Sequence, residues 1–366
     1  LVLLDGNIMN DPSNPNRQFD IGRLSLNNIE KIEILKGSQG LAYGSNAIGG
    51  VIVITTKKAK SKQWSGEQYF DYGTFRTVNT GLNFQKKFDL VNLSFGADLL
   101  KTSGFSAAHS KSIPNTEADG DQRMTLSFKA NAPLSEQYAL DLSLRYIHNS
   151  ADIDKGGGAL NDDPNDKQKE EEIYSKIQLT KDWESANAQT LFSYNRSTHF
   201  RHLEVRADPV HVENKDTLNK GEINNLSLNH TYNPSEHLTQ NLNLDWQHEK
   251  DQSTHFNQNL SAFLYHQYEL QSSIFNFGLR LDHNRIFNDH LTYKAATGYK
   301  VEQGLLKLSY ATGFRSPSIN QLFDPDYGNL DLNPETSQST ELSLEKKWNS
   351  NLQSTISLFY TKIDNR

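Results

Sequence analysis

The sequence predicts a mostly-β protein, a transmembrane antiparallel β-barrel preceded by a small mixed α/β domain. Three observations carry this. Apolar and polar residues alternate with period two over most of the chain, the segments between those stretches alternate between short and long, and residues 1–60 follow a different, glycine-punctuated pattern.

Residues 1–60 form one unit. Val2, Leu3 and Leu4 make a short apolar run that stops at Asp5-Gly6, a turn signal. An Asn- and Pro-rich loop follows. Ile29, Ile32, Ile34 and Leu35 in the stretch NIEKIEILKG read as a short helical turn passing into a strand. Gly37, Gly40, Gly44, Gly49 and Gly50 punctuate the next stretch, and Val51 to Thr56 closes the unit as a strand. Together these elements are a small α/β domain.

From about Trp64 the period-two alternation takes over. Val91, Leu93, Phe95, Ala97 and Leu99 alternate with Asn92, Ser94, Gly96 and Asp98. Leu140, Leu142, Leu144 and Tyr146 alternate with Asp141, Ser143 and Arg145. The same holds for Leu242-Leu244-Trp246 and Phe275-Phe277-Leu279-Leu281. About fifteen such segments are present, each with one apolar and one polar face. Short connections fall at 87–90, 135–137, 182–185, 233–237, 269–272, 300–303 and 348–351. In alternation with them stand long ones at 102–121, 151–169, 201–220 and 314–334. Short turns on one rim and long loops on the other mark an outer-membrane barrel, and the segments reach the roughly 9–11 residues a tilted strand needs to cross. Aromatic residues gather near segment ends, among them Tyr69, Tyr138, Trp183, Tyr232, Tyr268 and Trp348. Interfacial girdles and plain β-propensity both explain them.

Composition narrows the functional classes. Net charge is -7 over 366 residues and the pI is about 6.0, so no basic footprint for nucleic acid is present. No apolar run approaches the roughly 18 residues of a membrane helix. The mean hydropathy of -0.70 still suits a barrel, because half of each strand faces a polar lumen. There is no cysteine. The chain opens at Leu1 inside an apolar run, without initiator Met or signal peptide, and reads as a segment of a longer protein.

Residues 1–58 resemble the plug domain of TonB-dependent outer-membrane receptors, through LVLLDG, NIEKIEILKG and LAYGSNAIGGVIVITTKK in that order. GFRSPSINQLF (313–323), PDYGNLDLNPETS (325–337) and the following ELSLEKKW resemble a barrel segment of the cobalamin and siderophore receptors. The resemblance implies a protein of the Gram-negative outer membrane with a nominal 22 strands, of which about 15 are present here. It assigns 1–60 to the C-terminal part of the plug and 61–366 to the N-terminal part of the barrel. It implies energy-coupled uptake of a scarce small ligand: cobalamin, a ferric siderophore or a similar metal chelate. The partners implied are the lipid bilayer and TonB, reached through an N-terminal box that this chain lacks, and the expected state is a monomer. Two positions depart from the family pattern: Lys36 stands where Arg is usual, and Ser38 where Pro is usual. Lys keeps the charge and loses the bidentate fork, so a plug-to-barrel contact at Lys36 is expected in weakened form. A passive porin, and a signalling or adhesive receptor without transport, are the alternatives; a soluble β-sandwich hydrolase is a more distant one.

The candidate site residues follow. The loop from Asn7 to Phe19 reads as a plug apex facing outside, with Asn7, Asn10, Asp11, Asn14, Asn16 and Arg17 supplying donors and acceptors to a ligand; a plain solvated loop is the other reading. In the long loop 314–334, Arg315, Asp326 and Tyr327 are candidates to help enclose it. Loop 151–169 carries Asp152, Asp154, Asp162, Asp163 and Asp166, an oxygen-rich set that suits calcium, although the spacing is not that of an EF-hand and Lys155 and Lys167 offset the charge. The glycines of 37–50 lack the GxxxxGK[ST] and GxGxxG patterns, so they read as positions of close backbone approach. No HExxH or GxSxG is present, and no arrangement points to catalysis.

Overall fold

The computed structural model describes residues 1–106, 118–154, 166–206 and 214–365. Two sheets make up the molecule, one of four strands and one of fifteen.

The small sheet is built by β1 (Val2–Leu4), β2 (Asn7–Ile8), β3 (Ile29–Lys36) and β4 (Gly50–Thr56), in the order β2-β1-β4-β3. The turn at Asp5-Gly6 folds β2 back on β1, with both residues at positive φ. β1 runs parallel to β4, and β3 runs antiparallel to it. The helical turn expected in NIEKIEILKG does not form, because Ile29–Lys36 is strand throughout. Its β-branched residues Ile32 and Ile34 alternate with Lys31, Glu33 and Leu35, and pairing along β4 decides the outcome over local helix preference. The helical turns of this unit lie elsewhere: a 3-10 turn at Ile21–Arg23, capped by Asp20, and α1 (Gly40–Tyr43), four residues long.

The fifteen-stranded sheet is a meander in which each strand pairs antiparallel with its sequence neighbours, from β5 (Ser65–Gly73) to β19 (Gln353–Asp364). The expected strand count and the expected alternation of connections both hold. Two-residue turns join β12 (Lys215–Ser235) to β13 (Leu238–Lys250), and β16 (Asn288–Val301) to β17 (Gly304–Arg315). On the opposite rim a long connection leads from β17 to β18 (Glu335–Lys347) and carries α2 (Ile319–Phe323), started by a capping box in which Ser318 and Gln321 satisfy each other's backbone.

Register turns alternation into two faces. On β13, Leu242 and Leu244 are 44% and 43% exposed on the outer face, while Asp245 and Glu249 point inward to other side chains. The wall curves around the small domain, because strands far apart in the meander touch it. Asn83 on β6 (Thr77–Lys87) donates to Asn27, Ser197 on β11 (Ala188–Val205) donates to the Ile8 carbonyl, and the Thr312 carbonyl on β17 accepts from Ser38. The main core lies between the two units. Val2, Leu4, Met9, Leu24 and Ile54 pack with Ile147 of β9 (Tyr138–Asp152) and Tyr174 of β10 (Lys167–Trp183).

One ladder stops early. β16 and β17 pair only as far as Lys294 and Ala311. Beyond that point the Tyr293 amide donates to the Thr312 hydroxyl at 2.9 Å, and Ser38 of the small domain takes up the Thr312 carbonyl at 3.0 Å. A side chain and the plugging domain thus complete the hydrogen bonding of the wall there.

Candidate functional site

The small domain packs against the inner face of the wall, with loop 9–18 and Arg23 toward the long-loop rim and Asn27 and Asn28 lower on the wall. Loop 9–18 is organised by its own side chains. Asn10 accepts from the Val2 amide and donates to the Arg17 carbonyl, both at 2.8 Å, which closes the base of the loop. Asp11 accepts from the amide and hydroxyl of Ser13, and its other oxygen lies 3.8 Å from Arg201 of the wall. Asn14 accepts from the Asn16 amide. Arg17, at φ 47°, turns inward.

Arg17 is the centre of the contact between loop and wall. Its Nε donates to Glu249 Oε1 at 2.8 Å, Nη1 to the Ser316 carbonyl at 2.7 Å and Nη2 to the Pro317 carbonyl at 3.1 Å. Both side chains of the ion pair are buried. The guanidinium fork thereby joins the apex loop, β13 and the start of the β17–β18 connection. Ser318 donates to the Pro15 carbonyl, and Arg315 donates to the Asn16 carbonyl while lying 3.5 Å from Glu335. Further ion pairs tie domain to wall: Arg23 with Glu170 of β10, and Lys129 of β8 (Asp121–Pro133) with Asp5 at 2.8 Å.

The glycine segment docks by backbone proximity. A Cβ on Gly40 would lie 3.1 Å from the Gly313 Cα, and one on Gly44, at φ 71°, would lie 2.7 Å from Arg280 Nη2. This is the close approach read from the glycine pattern. Arg280 is buried and fully engaged, with Nε on Asp282 at 2.9 Å, Nη2 on Ser261 at 2.7 Å and Nη1 on Asp245 at 3.4 Å. Below the domain, on the short-turn side, a cavity of about 1070 Å³ opens between α1 and the wall, with Lys36, Gln39, Lys294 and Glu341 on its lining.

The structure sorts the candidate residues. Asn7 is buried in β2, away from the apex surface. Asn10 and Arg17 use their side chains to hold the loop, and Asp11 is half-buried in loop and wall contacts. Asn16 is exposed and Asn14 is half-buried, so these two remain at the outer surface of the apex. Arg315 stands beside them through its bond to Asn16. Asp326 and Tyr327 are exposed on the β17–β18 connection. Partial desolvation pushes the pKa of the Tyr327 phenol upward, and its hydroxyl donates to Asn320 Oδ1 at 2.8 Å. Lys36 is exposed at the end of β3, and among the described residues it forms no ion pair; the buried pair between domain and wall is instead Arg17–Glu249. Glu249 was legible in one respect, since it continues the inward series Asn243, Asp245, Gln247.

For the calcium candidates, Asp152 pairs with Lys167 and accepts from the Gly120 amide, and the buried Asp166 accepts from the Arg206 amide. Asp162 and Asp163 lie outside the described residues. Among the described residues no group of three or more metal-ligating side chains forms.

Comparison with known proteins places this geometry. A family model described as TonB-dependent Receptor Plug Domain matches residues 1–51, and one described as TonB dependent receptor-like, beta-barrel, matches residues 161–366, more than half of the chain. The chain is 25% identical to the vitamin B12 transporter BtuB of Vibrio cholerae serotype O1, over 88% of this chain and 53% of the relative. It is 24% identical to the iron-regulated outer membrane virulence protein of the same species, over 98% of this chain and 58% of the relative. It spans about half the length of these curated relatives. Among solved structures, the siderophore receptor PirA of Acinetobacter baumannii superposes with a TM-score of 0.82 at 17% identity, covering 100% of this chain and 63% of that one. A ferric enterobactin receptor (PfeA) mutant from Pseudomonas aeruginosa gives the same TM-score, identity and coverage.

Proposed function

Because the chain belongs to the TonB-dependent receptor family, we propose that it is the plug-and-wall portion of a Gram-negative outer-membrane receptor for energy-coupled uptake of a scarce metal chelate, cobalamin or a ferric siderophore. The observation that carries the proposal is the seating of the small domain against the inner face of the wall. Buried contacts to many wall strands, centred on Arg17 and Glu249, block passive flow. A ligand held at the outer face of the apex, near Asn16 and Arg315, then crosses only when the plug shifts. The family is one of receptors and transporters, and no covalent chemistry is proposed here. The force on the plug is assigned to TonB, acting on the full-length protein. The passive-porin alternative requires an open lumen, which the seated plug opposes.

Several polar contacts across the interface are suited to reversible displacement. Hydrogen bonds such as Ser197 to the Ile8 carbonyl and Asn83 to Asn27 exchange readily for water. The test is uptake by the full-length gene in a receptor-deleted host, comparing labelled cobalamin with a panel of ferric siderophores. Saturable uptake of one ligand that disappears with TonB supports the proposal. Uptake that persists without TonB would mean a leaky pore and refute it.

A further inference from the structure

A second cavity, of about 370 Å³, lies between the Asp5-Gly6 turn of the plug and the wall. On its wall side stand Asn92, the first residue of β7 (Asn92–Thr102), Asn131 near the end of β8 and Asp141 near the start of β9. These positions adjoin the short connections, which face the periplasm in an outer-membrane barrel. Three lysines reach the cavity: Lys58 from the segment that leads out of the plug, Lys129 from β8 and Lys176 from β10. With two carboxylates on the same lining, Asp5 and Asp141, one positive charge is in excess.

Both carboxylates are engaged. Asp5 accepts from the Thr56 amide at 3.0 Å, from the Thr56 hydroxyl at 2.8 Å and from Lys129 at 2.8 Å, so it neutralises Lys129. Asp141 accepts from the Asn131 side-chain amide at 2.9 Å. Lys57 and Lys60 pair with Glu67 and Glu30, whereas Lys58 and Lys176 form no ion pair among the described residues. Lys176 spends one of its three N–H donors on the Asp5 carbonyl, at 3.0 Å. Gly6 makes room for that contact, because a Cβ there would lie 3.2 Å from Lys176 Nζ. Ser94 supplies an independent sign. It lines the cavity at 3% exposure, and its hydroxyl has no hydrogen-bond partner. The side-chain oxygen of Asn92, on the same lining, is unpaired as well. Buried polar atoms left unpaired are costly, so the cavity calls for an occupant that accepts from Ser94 and donates to Asn92. An oxyanion that carries an O–H, such as hydrogen phosphate or a hydroxycarboxylate, does both.

We propose that this cavity is an anion site on the inner side of the plug, in which Lys176 and Lys58 hold a phosphate or carboxylate group and Ser94 donates to it. Two ammonium groups without a carboxylate partner bias the cavity toward negative charge. Lys58 belongs to the segment leaving the plug and Lys176 to the wall, so an anion held by both ties the seated plug to the barrel. The occupant is a free periplasmic oxyanion or the anionic arm of a chelate on its way out, and the second source rests on the uptake reading.

The test uses the full-length protein in detergent, with radiolabelled inorganic phosphate as the probe in equilibrium dialysis. Wild type is expected to bind phosphate saturably. K176Q is expected to weaken binding about tenfold, and the more exposed K58Q and the neutral donor variant S94A about threefold each. D141N removes a carboxylate from the lining and is expected to tighten binding, an opposite sign that general misfolding would not produce. K347Q, at an exposed lysine ending β18, is the control and is expected to bind as wild type does. Absence of saturable binding in wild type would overturn the proposal, as would equal affinity in wild type and a K58Q/K176Q variant. A second arm separates the sources. Phosphate-dependent protection of plug amides from hydrogen exchange, lost in the double variant, assigns the site to a free anion. Slower uptake of an anionic chelate by the double variant, relative to an uncharged one, assigns it to the arm of the ligand. TonB-dependent uptake without phosphate binding sinks this inference alone, whereas phosphate binding without any uptake sinks the functional reading alone.

Discussion

Arg17 of the plug and Glu249 of the wall, 232 positions apart in sequence, form a buried ion pair at 2.8 Å whose two side chains are 3% and 4% exposed. The remaining guanidinium N–H groups are taken by the Ser316 and Pro317 carbonyls, so the charge is satisfied on several sides. Removing one partner strands the other in a dry environment. R17A and E249A are each expected to weaken plug docking by about 3–5 kcal/mol. Hydrogen exchange of the plug amides in the full-length protein reads this directly, and protection equal to wild type in R17A would show that the pair does not hold the plug.

The Gly44 position is intolerant of a side chain on two grounds, positive φ and a Cβ 2.7 Å from Arg280 Nη2. G44A is expected to cost about 1–3 kcal/mol through backbone strain and displacement of the Arg280 network. G49A, where a Cβ meets nothing within 4 Å, serves as the control. Equal urea midpoints for plug release in the two variants would contradict the account.

Asn10 and Asn16 belong to the same loop and are expected to behave differently. N10A loses the bonds to the Val2 amide and Arg17 carbonyl, at a cost of about 1–3 kcal/mol in plug stability. N16A leaves the loop intact, because the bond from Arg315 is to the Asn16 backbone, and is expected to weaken ligand binding at unchanged stability. Binding titrations and thermal unfolding, run on both variants, separate the roles. A loss of stability in N16A would move it into the scaffold.

Membrane placement predicts a parity rule. Leu244 is outward and exposed, whereas its neighbour Asn243 is inward and donates to Ser227. L244R is expected to destabilise the full-length barrel by about 2–4 kcal/mol, against a markedly smaller effect for N243R. Folding into lipid vesicles under urea titration gives both values, and equal penalties would argue against a lipid-facing Leu244.

Much of the fold was legible because a half-buried strand writes its two faces into alternate residues. Leu140 to Tyr146 and Leu242 to Trp246 read as strands without any tertiary information, and the short turns between them fell where expected. NIEKIEILKG misled because its local helical appearance is overridden by pairing with β4, a long-range interaction. The site was less legible. Arg17 looked like a ligand contact because a loop arginine is usually solvated, and nothing local to it announces Glu249 or the Ser316 carbonyl. The loop-closing bonds of Asn10 were not legible either, because an amide that closes its own loop has the same composition signature as one that binds a ligand. Asp326 and Tyr327 stand exposed where the long loop was read.

The early stop of the β16–β17 ladder gives the molecule a built-in reporter. The Tyr293 amide is held by the Thr312 hydroxyl, and the Thr312 carbonyl is held by Ser38 of the plug. Withdrawal of Ser38 leaves that carbonyl without its donor, and faster exchange of the Tyr293 amide, which the same residue's hydroxyl holds, is the expected sign of it. That isotope exchange would time the departure and return of the plug without any label on the moving part.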